Sequence, residues 1–271
     1  MTTLEHPPAM SAVLFPSHGD RLIGSILMAE GAGPHPTLVL LHGLPGYERN
    51  GDLAHEVRRA GWNVLVFSYR GCWGCEGTFS IANCIEDAGS ALAFLRGPES
   101  RELRVDSERI VLAGASLGGF VALHAAARDP AVLGAASIAG FDFGAVALSH
   151  TGDTEAREDA IASFGEASMA PLTGTSAAAL VDEAASLAAD WQLARTVPAL
   201  KDRRVLLLGG NRDTVAPPDV HLQPLVDEFE RAGARHLSHA VLGGDHNFSE
   251  VRTALAQRLV AWLGKVRTTE Q

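Results

Sequence analysis

The stretch "IVLAGASLGGF", residues 110–120, changes character in its middle. Its leading apolar residues, 110–113, predict the end of a buried strand, and the alanine-rich pattern after the glycines predicts a helix. Between the two, Ser116 stands in the spacing Gly-x-Ser-x-Gly, with Gly114 and Gly118 on either side. Glycines at such a junction either serve only a tight turn or present the serine hydroxyl as a nucleophile on a strained turn. The motif alone leaves both interpretations open.

Apolar runs typical of strands alternate with longer helical patterns on both sides of this stretch. Strands are expected at 37–43, 63–70, 109–116, 133–141, 203–210 and 236–244. Two earlier runs, 11–17 and 21–30, flank the turn-forming His18-Gly19-Asp20 and predict an antiparallel hairpin. This alternation is typical of a mostly parallel sheet with helices on both faces. The chain therefore predicts an α/β fold with an eight-stranded, mostly parallel sheet.

The alternation stops over residues 143–200, where the sequence contains no good strand pattern. Two helical patterns, 153–165 and 175–196, occupy most of this segment. We interpret residues 1–271 as a single domain in which 143–200 is an inserted helical cap. Loops at the carboxyl edge of such sheets carry binding, so we expect the cap to be mobile and to set specificity.

Composition excludes some classes of partner. The formal net charge of −10 argues against nucleic acid and anionic membranes. The amino-terminal residues show no signal-peptide pattern, and no run approaches the roughly 18 apolar residues of a membrane span. We therefore expect a cytoplasmic protein that binds neither nucleic acid nor membrane. The sequence gives no indication of the oligomeric state.

The cysteines do not indicate a metal or a disulfide framework. There are three of them, an odd number, and two form C-x-x-C in "RGCWGCEG", residues 70–77. Zinc needs about four ligands, and no second Cys or His pair stands nearby at ligand spacing. We interpret 70–77 as a structural loop in which Trp73 packs near the site as a candidate substrate contact, and we expect no metal and no cofactor.

A serine nucleophile needs a base, because its hydroxyl reacts poorly at neutral pH. His246 directly follows the last predicted strand, at the carboxyl edge where open α/β sheets bind ligands. The base needs an orienting carboxylate, and Asp213 follows the preceding strand at the same edge. Asp219, in a helical first turn, and Asp245, the chain neighbour of His246, are less suitable. The order Ser116, Asp213, His246 favours the nucleophile interpretation.

An ester-cleaving site also needs donors for the oxyanion. The backbone N–H of Leu117, at the start of the predicted helix, is one candidate. The loop "HGLPG" supplies the other, and because Pro45 has no N–H, we expect Leu44 to be that donor. Tyr47 is an alternative, as a phenolic donor or a substrate contact. We interpret His42 as a brace of the loop.

Five motifs together carry a family resemblance: "HGLPG", "YRGCWG", "GASLGG", "NRDTVAPP" and "GDHNF". Over nearly all of its length the chain resembles serine hydrolases of the α/β-hydrolase fold. It is most similar to the esterase and dienelactone-hydrolase-like branch that borders the prolyl oligopeptidase family. The resemblance implies Ser116 as nucleophile, His246 as base and Asp213 as orienting acid beneath a cap. Dienelactone hydrolases proper differ in having cysteine as the nucleophile.

These inferences predict a carboxylesterase-type serine hydrolase that works through an acyl-enzyme. Cleavage of amides, peptides or thioesters by the same triad is the alternative, and a non-catalytic binding protein is a third hypothesis. Arg49, Arg70 and Arg212 are better explained as ion-pair partners in loops than as phosphate ligands. An alanine-rich, acidic cap offers little apolar surface for docking on lipid. The expected partner is a small, uncharged or weakly polar ester with a short acyl chain.

Overall fold

In the computed structural model, which describes residues 5–267, eight strands form one sheet. They are β1 (Ala9–Ser17), β2 (Asp20–Met28), β3 (His35–Leu41), β4 (Asn63–Phe67), β5 (Val105–Ala115), β6 (Gly134–Ile138), β7 (Arg204–Gly210) and β8 (Leu237–Leu242). Their order across the sheet is β1-β2-β4-β3-β5-β6-β7-β8. The hairpin β1–β2 and the pair β2–β4 are antiparallel, and the remaining pairs are parallel. The predicted sheet is confirmed.

Helices connect the strands and cover the sheet. They are α1 (Gly51–Arg59), α2 (Ile81–Arg96), α3 (Leu117–Arg128), α4 (Phe143–Ser149), α5 (Thr154–Ser163), α6 (Glu166–Met169), α7 (Ala177–Ser186), α8 (Ala188–Trp191), α9 (Val197–Leu200), α10 (Pro218–His221), α11 (Gln223–Arg231) and α12 (Arg252–Arg267). Short 3₁₀ helices cover Pro98–Leu103 and Leu193–Thr196. None of the helices in the described part of the chain is long and apolar enough to cross a membrane.

Two apolar clusters form the core, one on each face of the sheet. Helices α1 and α12 contribute Leu53, Val57 and Leu259 to one cluster, together with side chains of the parallel strands. Helices α2, α3 and α11 pack in the other cluster. The strand β3 is buried along nearly its whole length, because a parallel strand between two helical layers has no solvent-facing side. The prediction of helices on both faces is confirmed.

The predicted helix over 175–196 is interrupted, so the prediction of a continuous helix was wrong there. The segment 175–196 divides into α7, α8 and a 3₁₀ turn, because the backbone turns away at Leu187 and again at Gln192. There the carboxylate of Asp142 accepts a hydrogen bond from the Leu193 N–H at 3.1 Å. This tertiary contact outweighs local helix propensity. Between β7 and β8, α10 ends at His221 and helix resumes as α11, with Pro224 near its start, where a missing N–H costs little.

The inserted segment 143–200 lies between β6 and β7 and is attached to the loop before α2. Thr173 donates its N–H to the Gly71 carbonyl at 2.8 Å and accepts one from Phe79 at 2.9 Å. The Glu183 carboxylate of α7 accepts the N–H groups of Ile81 and its neighbour at the start of α2, at 2.9 and 3.0 Å. By contrast, α5 has no buried residue. The segment is thus firmly attached through Thr173 and Glu183, whereas α5 is loosely packed.

Candidate active site

Ser116 occupies the sharp turn between β5 and α3. Its backbone has φ +55° and ψ −119°, a combination that non-glycine residues rarely adopt and that is strained. A Cβ on Gly114 would lie 2.3 Å from the Gly118 backbone, and one on Gly118 would lie 2.2 Å from the Leu41 carbonyl oxygen. The Ser116 N–H donates to the Ile138 carbonyl at 2.9 Å, which ties the turn to β6. The two glycines are therefore required by the close approach of backbone to backbone.

Asp213 and His246 are joined by a hydrogen bond. The distance from His246 Nδ1 to Asp213 Oδ2 is 2.8 Å. The other carboxylate oxygen accepts the N–H groups of Val215 and Ala216 at 2.9 and 2.8 Å. The Asp213 side chain is fully buried, whereas 19% of the His246 side chain is exposed.

The protonation of this pair follows from its surroundings. Burial acts to raise the pKa of Asp213, but the hydrogen bonds from His246 and Ala216 outweigh it and hold that pKa below its ordinary value. An ionised carboxylate only accepts hydrogen bonds, so Nδ1 of His246 carries the proton. Its Nε2 is then the basic nitrogen.

Ser116, Asp213 and His246 follow β5, β7 and β8, and so meet at the carboxyl edge of the parallel strands. Among the residues that the structure describes, Asp213 and His246 are directly bonded, and no hydrogen bond joins either of them to the Ser116 hydroxyl. Catalytic hydrogen bonds of this kind are commonly long before substrate binds and shorten in the complex.

The two backbone groups expected to stabilise an oxyanion flank Ser116. Leu117 is the first residue of α3, where an N–H has no partner inside the helix. The loop after β3 passes close by, since a Cβ on Gly43 would lie 3.1 Å from the Ser116 Cβ. Within residues 5–267, the N–H of Leu44 is not donated to a protein acceptor. Both groups are available to a ligand.

His42 lies under this loop. Its Nδ1 is 2.7 Å from the Gly43 carbonyl, and its ring packs 4.5 Å from that of Tyr69. Burial lowers the pKa of His42 to about 4, so the ring is neutral at pH 7. A neutral, buried imidazole bonded to the neighbouring carbonyl supports the loop, as the sequence predicted.

A cavity of about 630 Å³ separates Ser116 from the inserted segment. That volume is within the range of small-molecule sites, about 300–1,000 Å³. Most of its wall is apolar, and most of the lining residues belong to the insertion. The lining comprises Leu44, Ile81, Ser116, Phe141, Phe143, Val146, Ala147, His150, Thr151, Gly152, Asp153, Thr154, Arg157, Ala160, Ser163, Phe164, Ser168, Leu180, Val181, Ala184, Ala185 and Val215.

Tyr47 and Trp73, predicted as substrate contacts, are not among the described residues that line this cavity. The Tyr47 hydroxyl donates to the Ala167 carbonyl at 2.8 Å, and the indole N–H of Trp73 donates to the Pro45 carbonyl at 2.6 Å. Their rings meet edge to face, with centroids 5.1 Å apart. The polar groups of both side chains are thus bonded to protein.

The three arginines near the motifs have protein partners. Arg70 forms ion pairs with buried Asp87 and with Glu86, both at 2.6 Å. Arg49 donates to the Ser68 hydroxyl at 2.9 Å, and Arg212 pairs with Glu250. The contacts of Arg70 and Arg212 agree with their interpretation as ion-pair partners. Arg49 instead bonds a hydroxyl and lies over the Trp73 ring.

The cysteines are free and buried. Burial raises the pKa of the Cys72 thiol to about 12, so it stays protonated at neutral pH. Cys75 receives the Ile23 N–H at 3.2 Å and lies 3.1 Å from the Ser68 carbonyl. In the described part of the chain, no group of three or more His, Cys, Asp or Glu side chains is arranged to hold a metal ion.

Sequence reasoning missed a buried pair beside the cavity. The Asp142 N–H donates to His221 Nδ1 at 3.0 Å, and the ring of His221 packs 4.5 Å from that of Phe141. Burial lowers the pKa of His221 to about 4, which leaves Nδ1 unprotonated to accept this bond. Asp142 caps α4 through the Ala145 N–H at 2.9 Å. The aspartate before a helical pattern was a visible capping signal, but nothing local pointed to His221.

Comparison with known proteins agrees with this architecture. An uncharacterised protein of Mycobacterium tuberculosis is 33% identical over 125 residues, which cover 46% of this chain and 43% of that protein. The match thus spans less than half the length of that curated relative. The structure is similar to that of a 2,6-dihydroxy-pseudo-oxynicotine hydrolase, with a TM-score of 0.70, 20% identity, and coverage of 97% of this chain and 70% of the other.

An esterase of Pyrococcus furiosus gives a TM-score of 0.69 at 14% identity, covering 95% of this chain and 91% of the esterase. At such identities the similarity shows the fold. A model of the alpha/beta hydrolase family matches residues 38–258, a range that includes Ser116, Asp213 and His246. The chain belongs to the alpha/beta hydrolase family.

Proposed function

We propose that this hydrolase is a serine esterase that cleaves small carboxylic esters through an acyl-enzyme. The observation that carries the proposal is the strained turn at Ser116, which lines the cavity at the sheet edge where Asp213 binds His246 Nδ1. A backbone strained in this way is maintained only where the surrounding structure enforces it, and such strain clusters at functional sites. A purely structural turn would not need to direct a hydroxyl at a cavity.

In the proposed reaction, Ser116 Oγ attacks the ester carbonyl carbon while His246 Nε2 takes the hydroxyl proton. The carbonyl π electrons move to oxygen, and the N–H groups of Leu44 and Leu117 bind the resulting oxyanion. Collapse of the tetrahedral intermediate breaks the bond to the alcohol oxygen, which receives the proton from His246. Water then repeats the sequence on the acyl-enzyme, releasing the acid and restoring the Ser116 hydroxyl.

The lining of the cavity supports an uncharged substrate. Its apolar wall includes three phenylalanines, Phe141, Phe143 and Phe164. Arg157 contributes a cation, but its Nε and Nη2 donate to the two oxygens of the Asp182 carboxylate, at 2.8 and 2.9 Å. Its charge is therefore already compensated. An esterase and another hydrolase among the structural neighbours are consistent with this class of reaction.

The first experiment is a substrate panel on purified protein: p-nitrophenyl esters from acetate to dodecanoate, matched anilides and matched thioesters. We expect the esters of two to about eight carbons to be the best substrates. Ser116→Ala is the control for contaminating activity and should lose the turnover. A fluorophosphonate probe should add its mass to the peptide that contains Ser116.

Two results would contradict the proposal. If the fluorophosphonate leaves Ser116 unmodified and no ester is cleaved above the Ser116→Ala background, the non-catalytic hypothesis gains support. If anilides or thioesters exceed the esters in kcat/KM, the chain is an amidase or a thioesterase that uses the same residues.

A further inference from the structure

Two aromatic side chains connect the loop that carries Leu44 to the inserted segment. The Tyr47 hydroxyl donates to the Ala167 carbonyl in the insertion at 2.8 Å. Trp73 bridges the same two parts: its indole N–H donates to the Pro45 carbonyl at 2.6 Å, and its backbone N–H donates to the Pro171 carbonyl at 3.1 Å. The bonds to Ala167 and Pro171 each join parts of the chain that lie about a hundred residues apart in sequence, and the bond to Pro45 links Trp73 to the Leu44 loop.

The position of the Trp73 ring is fixed from several directions. The Arg49 guanidinium lies over it, 5.4 Å from the ring centroid, and the Tyr47 ring meets it edge to face. The loop itself is tightly enclosed, since a Cβ on Gly46 would lie 3.0 Å from the Trp73 indole nitrogen and 2.6 Å from His42 Nδ1. The loop is therefore packed between His42 on one side and Trp73 on the other.

We propose that Tyr47 and Trp73 are positioning residues that set the place of the Leu44 N–H relative to Ser116. This inference rests on the proposed function, because it gives the Leu44 N–H the role of an oxyanion donor. The Pro45 carbonyl, which Trp73 binds, is one residue from that donor, so a shift of this carbonyl also shifts the donor. Catalytic donors act over narrow distances, and loss of one costs about 10²–10³ in kcat.

If this is so, the position of the Leu44 N–H also depends on the insertion. Ala167 and Pro171, which receive the Tyr47 and Trp73 bonds, belong to the insertion, whose residues line most of the cavity. A substrate that seats well against the insertion therefore supports the loop that binds its own oxyanion. Contacts between the insertion and parts of the substrate far from the reacting carbon then help to stabilise the transition state.

The test separates positioning from direct substrate contact. Tyr47→Phe removes one hydroxyl, and Trp73→Phe removes the indole N–H while retaining an aromatic ring. For the best ester of the panel, we expect kcat to fall about threefold to thirtyfold in each variant, a partial loss of one donor. KM should stay within about twofold. Binding of a trifluoromethyl ketone analogue, which forms an oxyanion on Ser116, should weaken by the same factor as kcat/KM.

Ser186→Ala is the matched control, because its hydroxyl bonds only within α7, to the Glu183 carbonyl at 2.8 Å. Its kcat, KM and analogue binding should equal those of the wild-type protein. Unfolding temperatures of all variants establish that each is folded, and Tyr47→Phe, which loses a single exposed hydroxyl, keeps the test valid if Trp73→Phe does not fold.

A higher KM with unchanged kcat would overturn the inference and make these side chains substrate contacts. Unchanged kcat, KM and analogue binding in Tyr47→Phe would overturn it as well. Failure of the proposed function itself is distinguishable, since the wild-type protein would then neither cleave the ester nor react with the fluorophosphonate at Ser116.

Discussion

Ser116, His246 and Asp213 contribute unequally to the proposed chemistry, and mutation should separate their contributions. Replacing Ser116 or His246 with alanine should lower kcat by several decades each, with similar losses, because nucleophile and base act as a unit. The double variant should lose little more than either single one. Steady-state kinetics at protein concentrations determined by absorbance measures this. Additive losses would contradict a shared step.

Asp213→Asn tests the orientation of the imidazole. In Asp213, Oδ1 accepts the Val215 and Ala216 N–H groups and Oδ2 accepts the His246 Nδ1–H. An amide has one oxygen and one NH₂ group, so it cannot accept hydrogen bonds on both sides. We expect kcat to fall roughly 10⁴-fold through the wrong tautomer, with the fold retained. Full activity in this variant would assign the acidic role to another carboxylate.

For single residues, the sequence predicted the features of the site that depend on close packing of the backbone. Gly114 and Gly118 could be interpreted because their spacing reflects contacts made within one turn. The partners of Tyr47 could not be predicted, because Ala167 lies 120 positions away and offers only a backbone carbonyl. Every residue has a backbone carbonyl, so the residue type at position 167 does not indicate that its carbonyl accepts this bond.

Among the elements, α5 and α7 differ in how they are attached, although both belong to the insertion. We predict fast amide exchange in α5, which has no buried residue, and slower exchange in α7, which buries Leu180 and Ala184. Hydrogen exchange followed by mass spectrometry should show this difference. If α5 is protected as strongly as the strands of the sheet, the expectation of a mobile cap is wrong.

Glu183 is the side chain that attaches α7 to the start of α2. Glu183→Ala removes the acceptor for two N–H groups at that helix end and should cost about 0.5–2 kcal/mol of unfolding free energy. Glu183→Gln retains one acceptor oxygen and should recover part of the loss. Urea unfolding measures both, with Glu158→Ala on exposed α5 as the control. Equal stability of Glu183→Ala and Glu158→Ala would show that the contact contributes nothing.

Elements were predictable from apolar periodicity where they face the core, as in β3 and α3. The insertion was not, because its breaks are set by partners elsewhere in the chain. The Asp142 carboxylate binds the Leu193 N–H, and a Cβ on Gly144 would lie 2.2 Å from the Gln192 nitrogen. Periodicity cannot register contacts between segments that meet only in the folded chain.

For the whole molecule, three buried histidines should make stability depend on pH. Burial lowers the pKa of His42, His124 and His221 to about 4, from 6.5 in an exposed state. Below pH 6.5 the unfolded chain therefore binds protons that the native protein does not, so stability falls as the pH drops toward 4. Each histidine should lower the unfolding free energy by up to about 2 kcal/mol at pH 5, compared with its value near neutral pH.

Urea unfolding between pH 7 and 4.5 measures this dependence. His124→Gln, which retains a donor for the Trp191 carbonyl, should reduce the slope by about one third, because one of three such groups is removed. An unfolding free energy that stays constant over this range would contradict the prediction.

The mostly parallel sheet and its cover of helices on both faces followed from the alternation of strand and helix patterns along the chain. The order of the strands did not follow from it, because the chain passes from β4 across β3 to β5. The cavity did not follow, because its walls come from the insertion and from loops after β3 and β6. Its volume depends on how those parts pack, which no local pattern encodes.

The turn at residue 116 owes its shape to its neighbours and not to the serine. Gly114, Gly118 and the bond to the Ile138 carbonyl fix the backbone, and none of them involves the hydroxyl. The identity of the proposed nucleophilic atom is therefore independent of the contacts that shape the turn. A side chain at either glycine would force the backbone to move. A thiol in place of the hydroxyl at position 116 would leave every contact that fixes the main chain unchanged.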